Sequence, residues 1–152
     1  MLRVLIADDE SKVCQLIEKL VDWGALGMEV VAVAENGIEA LEKIKEFYPD
    51  IVITDIRMPG YDGLDLIRLG KEEAPNTEFV IISGYRHFEY AQMAIRYGVN
   101  AYLLKPIRKD ELTETLKRLS AHFKEQTEQL SLEEKRQRAI RSDEKNQIGR
   151  AH

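Results

Sequence analysis

The sequence predicts a doubly wound α/β domain: one five-stranded parallel sheet with five helices on its two faces. Three observations predict it. Five apolar, strand-like runs alternate with five stretches of helical spacing. The connections between them are short, and parallel neighbours need right-handed crossovers, which strand–helix–strand units supply. Finally, four runs end in residues that can handle charge: LRVLIA into Asp8 and Asp9, DIVIT into Asp55, EFVII into Ser83, and NAYLL into Lys105 and Pro106. Doubly wound sheets bind ligands beyond the carboxyl ends of their strands, where those residues fall.

Residues 2–7 form a β-branched and leucine-rich run without polar alternation, the pattern of a strand buried on both faces. Val13, Leu16, Ile17, Leu20 and Val21 follow at helical spacing, with Ser11 as the expected N-cap. EVVAVA at 29–34 starts a second unit, whose helix opens at Asn36-Gly37 and carries Ala40, Leu41, Ile44 and Phe47 on one face. DIVIT at 50–54, a Pro59-Gly60 turn and a helix through Leu64, Leu66 and Ile67 make the third. The fourth joins EFVII at 78–82 to a helix through Phe88, Ala91, Met93 and Ile95, stopped by Gly98 in a left-handed conformation. NAYLL at 100–104, the Pro106 break and a helix through Leu112, Leu116, Leu119 and Phe123 complete the series.

Residues 1–123 are therefore expected to form one domain of about 120 residues. Residues 124–152 read as a charged, partly helical linker or tail. Leu112, Leu116, Leu119, Phe123 and Leu130 sketch a heptad seam that Gln126, Glu133 and Gln137 interrupt, so a coiled coil is the less favoured alternative. The terminal GRAH carries no structural signal.

A net charge of −5, from 27 acidic and 22 basic residues, argues against a nucleic-acid surface on these residues. The single cysteine, Cys14, excludes an internal disulfide and a structural zinc site, and suits a reducing cytoplasm. No run of about 18 apolar residues predicts a membrane span, and no secretory leader is visible.

Consecutive carboxylates after a strand cannot point the same way, so Asp8 and Asp9 should reach the sheet end at different depths. Adding Asp55 gathers three negative charges that need a cation or protons. Magnesium fits best, since it takes a few carboxylates and leaves positions open for phosphate oxygens. Zinc would call for histidine or thiolate, which Cys14, His87, His122 and His152 do not bring to this group. Lys105 supplies a compact positive charge and Ser83 a hydroxyl, a set suited to a phosphoryl group. With no activated Ser-His or Cys-His pair in view, the nucleophile should be a carboxylate.

With these residues in place, the chain resembles the receiver domains of bacterial two-component response regulators, over roughly residues 1–123. The resemblance is carried by IADDE, ITDIRMPGYDGL, IISGY and AYLLKP, in that order and each at a strand end. It implies a flavodoxin-like strand order 2-1-3-4-5, the order found in chemotaxis receivers. It further implies that Asp55 accepts a phosphoryl group from a sensor histidine kinase. Asp9, Asp55 and the Arg57 backbone carbonyl would ligate Mg2+, with Asp8 acting through water; Lys105 would meet the phosphoryl group. Ser83 and Tyr102 would form the switch, and Lys105-Pro106 the family's cis peptide. Such a chain is no enzyme beyond its own phosphorylation and dephosphorylation. Family members often dimerise through the fourth helix, fifth strand and fifth helix, so the same homodimer is an expectation here.

WGALGMEV and SGYRHFEYAQMAIRYGVNAYLLKP resemble the subgroup that precedes an AraC-type helix-turn-helix output domain. DNA contact and transcriptional output are then expected only through a domain outside these 152 residues. A stand-alone receiver acting by protein–protein contacts is the alternative. A magnesium-dependent phosphoaspartate hydrolase is weaker, because those enzymes usually place a second aspartate where this chain has Arg57.

Each residue also has a plainer reading. An acidic pair after a strand is commonly a solvated cap, Ser83-Gly84 an ordinary turn, Tyr102 a core aromatic and Lys105 a surface residue. Their joint placement favours function. Cys14 reads as a partly buried, inert thiol, Trp23 as a cap on the core edge, and the histidines as surface residues.

Overall fold

The computed structural model describes the chain outside residues 85–87 and 152, and its side chains outside Phe88 and residues 142–151 as well. The elements run β1 (Leu2–Ala7), α1 (Ser11–Leu20), a short 3-10 helix (Gly24–Leu26), β2 (Met28–Ala34), α2 (Gly37–Phe47), β3 (Ile51–Thr54), α3 (Gly63–Glu73), β4 (Glu78–Ser83), α4 (Phe88–Arg96), β5 (Ala101–Leu104) and α5 (Lys109–Ala151). The strands pair in the order β2-β1-β3-β4-β5, all parallel, as expected.

Continuous apolar runs form the middle of this sheet because both of its faces are covered by helices. Val4, Ile6, Ile51, Val52, Phe79 and Val80 are fully buried. The edge strand β5 differs, with Ala101, Tyr102 and Leu103 half-buried and Leu104 exposed.

Two helix faces depart from the expected stripes. On α1, Cys14 and Ile17 are buried while Leu16 is exposed. On α4, Ala94 is fully buried and Ile95 is 70% exposed, so the inward stripe runs one position short of the one expected. Apolar spacing alone leaves the rotation of a short helix uncertain by about one position, and the small side chain of Ala94 fits closest to the sheet. Ser11 is the first residue of α1; Glu10 takes the cap position without a side-chain hydrogen bond. The packing of Phe88 and the exposure of His87 and His152 lie outside the described residues. His122 is exposed.

Gly98 adopts φ 79° after α4, and its N–H donates to the Ile95 carbonyl, which ends the helix as expected. Trp23 is half-buried, and its indole N–H donates to the Glu18 carbonyl at 3.0 Å, closing the end of α1.

The chain divides into two compact units, Met1–Leu116 and Lys117–His152. In the first, Leu112 and Leu116 are buried. In the second, helix continues to Ala151. Thr127 donates to the Phe123 carbonyl at 3.0 Å, Glu133 pairs with Arg136 at 3.7 Å, and Leu130, Leu132 and Ile140 are exposed. No described helix is long and apolar enough to cross a membrane.

Candidate functional site

The sheet ladder carries past the strand ends and holds the polar residues level. Asp8 N–H donates to the Ala34 carbonyl at 3.1 Å, Asp55 N–H to Ala7 at 3.0 Å, and Lys105 N–H to Ser83 at 2.9 Å. Parallel register thus places residues from four strands at one mouth.

Asp8, Asp9 and Asp55 can each offer a carboxylate oxygen such that all three lie within 4.8 Å of one another. Asp8 is 2% and Asp55 7% exposed, whereas Asp9 faces solvent, so the consecutive acids do reach different depths. Lys105 Nζ lies 2.9 Å from Asp55 Oδ2 and 3.1 Å from Asp8 Oδ2, bridging both buried carboxylates. The remaining oxygens are held by backbone: Ile56 N–H donates to Asp55 Oδ1 at 2.7 Å, and Glu10 N–H to Asp8 Oδ1 at 2.9 Å. Thr54, also buried, donates from its hydroxyl to the Asp55 carbonyl at 2.9 Å.

Burial raises the Asp8 carboxyl above the ordinary carboxylate range, and the Asp55 charge adds to this; the Glu10 N–H and Lys105 oppose it. Burial would lower the Lys105 ammonium, but its hydrogen bonds to Asp55 and Asp8 prevail and hold it above its usual value. The two directions agree physically: the lysine gains two carboxylates, while Asp8 gains half a lysine and a like-charged neighbour.

A raised folded-state value means that charging Asp8 costs stability as pH climbs from the ordinary carboxylate range through the raised one. Asp8→Asn is therefore expected to stabilise the metal-free chain at pH 7 by roughly 1 kcal/mol, a few degrees in Tm. Lys105 keeps its bond to Asp55 in that variant. The gain should shrink toward pH 4, and melting curves in chelator at the two pH values measure it. A neutral-pH Tm at or below wild type would contradict this account of Asp8.

Ser83 closes β4 at 0% exposure. Tyr102 lies beside it: burial raises the phenol above its ordinary value, a hydrogen bond with Ser83 lowers it, and the Asp55 and Tyr90 charges raise it. The ring is thus within electrostatic reach of Asp55 and half-buried in an edge strand, between the core and surface readings. The Lys105-Pro106 peptide is cis, as the resemblance implied. Cys14 is more deeply buried than expected; its thiol donates to the Asp8 carbonyl at 3.6 Å, and burial pushes it up to about 11, so it stays protonated.

Backbone partners were not legible in the sequence. The Glu10 and Ile56 N–H groups that orient the acids leave no side-chain signature. Gly63 left a faint one, a helix-disfavoured residue in the first turn of α3. A Cβ there would overlap the Asp55 carbonyl, and its N–H donates to Ile56 at 2.6 Å. Asp62 caps the same turn, accepting from Asp65 N–H at 2.8 Å.

Two buried acids, a third acid at the rim and a lysine across them, at the carboxyl end of a doubly wound sheet, are compatible with a protein class that receives a highly charged group beside a hard cation. Comparison makes the family plain: residues 4–117 match the response regulator receiver domain, and the chain belongs to that family. It is 41% identical over 126 residues to the uncharacterized transcriptional regulatory protein YesN of Bacillus subtilis (strain 168), covering 83% of this chain and 34% of that protein. With transcriptional regulatory protein HptR of Staphylococcus aureus (strain N315) it shares 36% identity over 129 residues, 85% of this chain and 50% of the other. The chain thus spans half or less of these two relatives' length. Among solved structures, the REC domain of AraT, a response regulator from Geobacillus stearothermophilus, superposes with TM-score 0.79 at 40% identity, covering 83% of this chain and 98% of that one. The relatives are regulators rather than conventional enzymes, and the acidic cluster is compatible with the magnesium site of receiver domains.

Proposed function

We propose that this chain is a phosphorylation-dependent switch in which Asp55 is the phosphoacceptor. The observation that carries the reading is the single ammonium of Lys105 bridging Asp55 and Asp8 at 2.9 and 3.1 Å, with Asp9 alongside. The donor is a phosphohistidine on a sensor histidine kinase. An Asp55 carboxylate oxygen attacks phosphorus, the P–N bond breaks, and its electron pair leaves with the imidazole, which takes up a proton. The product is an acyl phosphate on Asp55.

Asp9, Asp55 and the Arg57 backbone carbonyl would hold Mg2+, with Asp8 contributing through water. When bound, the ion neutralises phosphoryl oxygens. The donor set fits, because all the candidate atoms are hard oxygens and three are carboxylates. Lys105 then pairs with the phosphoryl group instead of the free acids, and preorganised charge does most of the work.

Ser83 follows by donating its hydroxyl to the new phosphoryl oxygens, and Tyr102, its hydrogen-bond partner, changes rotamer with it. This biases the surface of α4, β5 and α5 toward a second conformation. The output is transcription, through an AraC-type DNA-binding domain outside these residues, in the cytoplasm. A homodimer formed through α4, β5 and α5 is the natural form of the active state. Residues 1–123 carry the switch, and 124–152 lead from it.

Incubating the chain with Mg2+ and acetyl phosphate should add one phosphoryl group, removable by hydroxylamine as an acyl phosphate must be. Ser83→Ala should still accept the group, yet the amide spectrum of α4 and β5 should respond far less than in wild type. A hydroxylamine-stable adduct would argue against the carboxylate acceptor. An undiminished response in Ser83→Ala would remove Ser83 from the switch.

A further inference from the structure

The head of α2 touches the loop that follows the acceptor. Helices leave their first N–H groups without intrahelical partners. Here the Asn36 side chain accepts from Glu39 N–H at 2.8 Å, while Gly37 N–H donates out of the helix to the Pro59 carbonyl at 3.0 Å. The approach is close enough that a Cβ on Gly37 would overlap the Tyr61 backbone. Gly60, at φ 80°, turns the loop over Ile38, whose Cγ1 would stand 2.8 Å from a Cβ at position 60. A second anchor lies on the other side, where Gly63 N–H donates to the Ile56 carbonyl at 2.6 Å. Arg57 and Met58 are thus the residues between two fixed points, Ile56 and Pro59. They line, with Asp9, Pro59 and Asp62, an open groove of about 270 Å³ beside the acids.

We infer that Gly37 is a positioning residue for the magnesium site: its N–H and bare Cα set the height of loop 57–61, and so the place of the Arg57 carbonyl. The inference rests on the magnesium-dependent reading above. Ile38, the next residue of α2, supports the same loop with its side chain beneath Gly60. A residue that merely completed the fold would alter stability alone, whereas this one alters cation affinity.

The test compares variants of the whole chain in matched pairs. Gly37→Ala is set against Gly70→Ala, where a Cβ would meet the Phe79 ring at 2.7 Å inside the core. Ile38→Ala, at a residue 52% exposed and tolerant of truncation, is set against Leu16→Ala, at one 48% exposed. Calorimetric titration with Mg2+ alone should show affinity reduced roughly 10-fold or more in Gly37→Ala, the scale on which groups behind a ligand act. A smaller loss is expected in Ile38→Ala, and neither control should lose affinity. Acetyl phosphate labelling of Gly37→Ala should be slow at limiting Mg2+ and approach the wild-type rate at saturation. In the metal-free chain, amide exchange at Arg57, Met58 and Tyr61 should be faster in Gly37→Ala and Ile38→Ala than in their controls. Equal Mg2+ losses within both pairs would overturn the inference and leave the switch reading standing. Wild type that neither binds Mg2+ nor accepts a phosphoryl group would instead overturn that reading; the exchange measurement then still decides whether Gly37 holds the loop. Should Gly37→Ala fail to fold, the Ile38 and Leu16 pair decides alone.

Discussion

Asp55→Asn is expected to take up no phosphoryl group from a small donor, a loss of at least ~10³-fold in labelling rate, as when a covalent nucleophile is removed. The substitution is nearly isosteric, and Asn can keep the bond that Ile56 N–H makes to the Asp55 side chain. Lys105 retains Asp8 at 3.1 Å. The variant should therefore fold, and any effect on labelling belongs to chemistry rather than collapse of the sheet. Intact-mass measurement with and without acetyl phosphate reads the result, and a melting curve checks the fold. Label entering Asp55→Asn at the wild-type rate would move the acceptor elsewhere, with Asp9 the next candidate by position.

Lys105→Ala acts on the other side of the same contact. It removes the ammonium that pairs with both buried carboxylates, Asp55 and Asp8. Removing one partner of a buried pair costs about 3–5 kcal/mol when the pair is fully desolvated. The Lys105 side chain is 22% exposed, so roughly 2 kcal/mol is the sounder expectation, a Tm lower by roughly 5–10 °C in chelator at pH 7. The pH dependence follows from the raised lysine value. Stabilisation by a raised lysine is complete below its unfolded pKa of about 10.4 and fades as pH rises through the higher folded one. In wild type it is therefore intact at neutral pH. In Lys105→Ala the deficit should be deep wherever the carboxylates are ionised and should narrow on acidification, as protons replace the ammonium. Millimolar Mg2+ should recover much of the Tm, since a cation at the three acids relieves the same repulsion. Labelling should slow by ~10²-fold, the scale for losing one preorganised charge. Melting curves across pH, with and without Mg2+, test these points together; a Tm equal to wild type in chelator would show that the bridge contributes nothing.

The sheet and its mouth were legible because parallel strands leave an unusually clear trace. LRVLIA, IVIT and EFVII are apolar almost throughout, so their ends are marked by the first polar residues, and those residues line the candidate site. Helix rotation was less legible. Leu16 and Ile95 fit apolar stripes, yet the structure turns them outward because Cys14 and Ala94 pack closer. Whether Tyr102 is core or surface could not be read from NAYLL, since an edge strand carries the same residues as a central one. The backbone holders, Ile56, Glu10 and the Gly37–Pro59 contact, were the least visible, because a main-chain N–H is common to every residue but proline.

In the proposed switch, the edge position of β5 sets how far a change at Asp55 has to travel. Between β3, which ends just before Asp55, and open solvent lie two ladder steps, β4 and β5, about 10 Å at the usual strand spacing. Ser83 stands on the first step and Tyr102 on the second. In the proposed switch so short a relay would need no rearrangement of the buried centre, where Phe79 and its neighbours can stay close-packed while the rim changes outline. The path runs away from β1 and β2: β1 presents Asp8 and Asp9 to the site, and the two strands would serve as a frame against which a displacement at the opposite margin can be sensed.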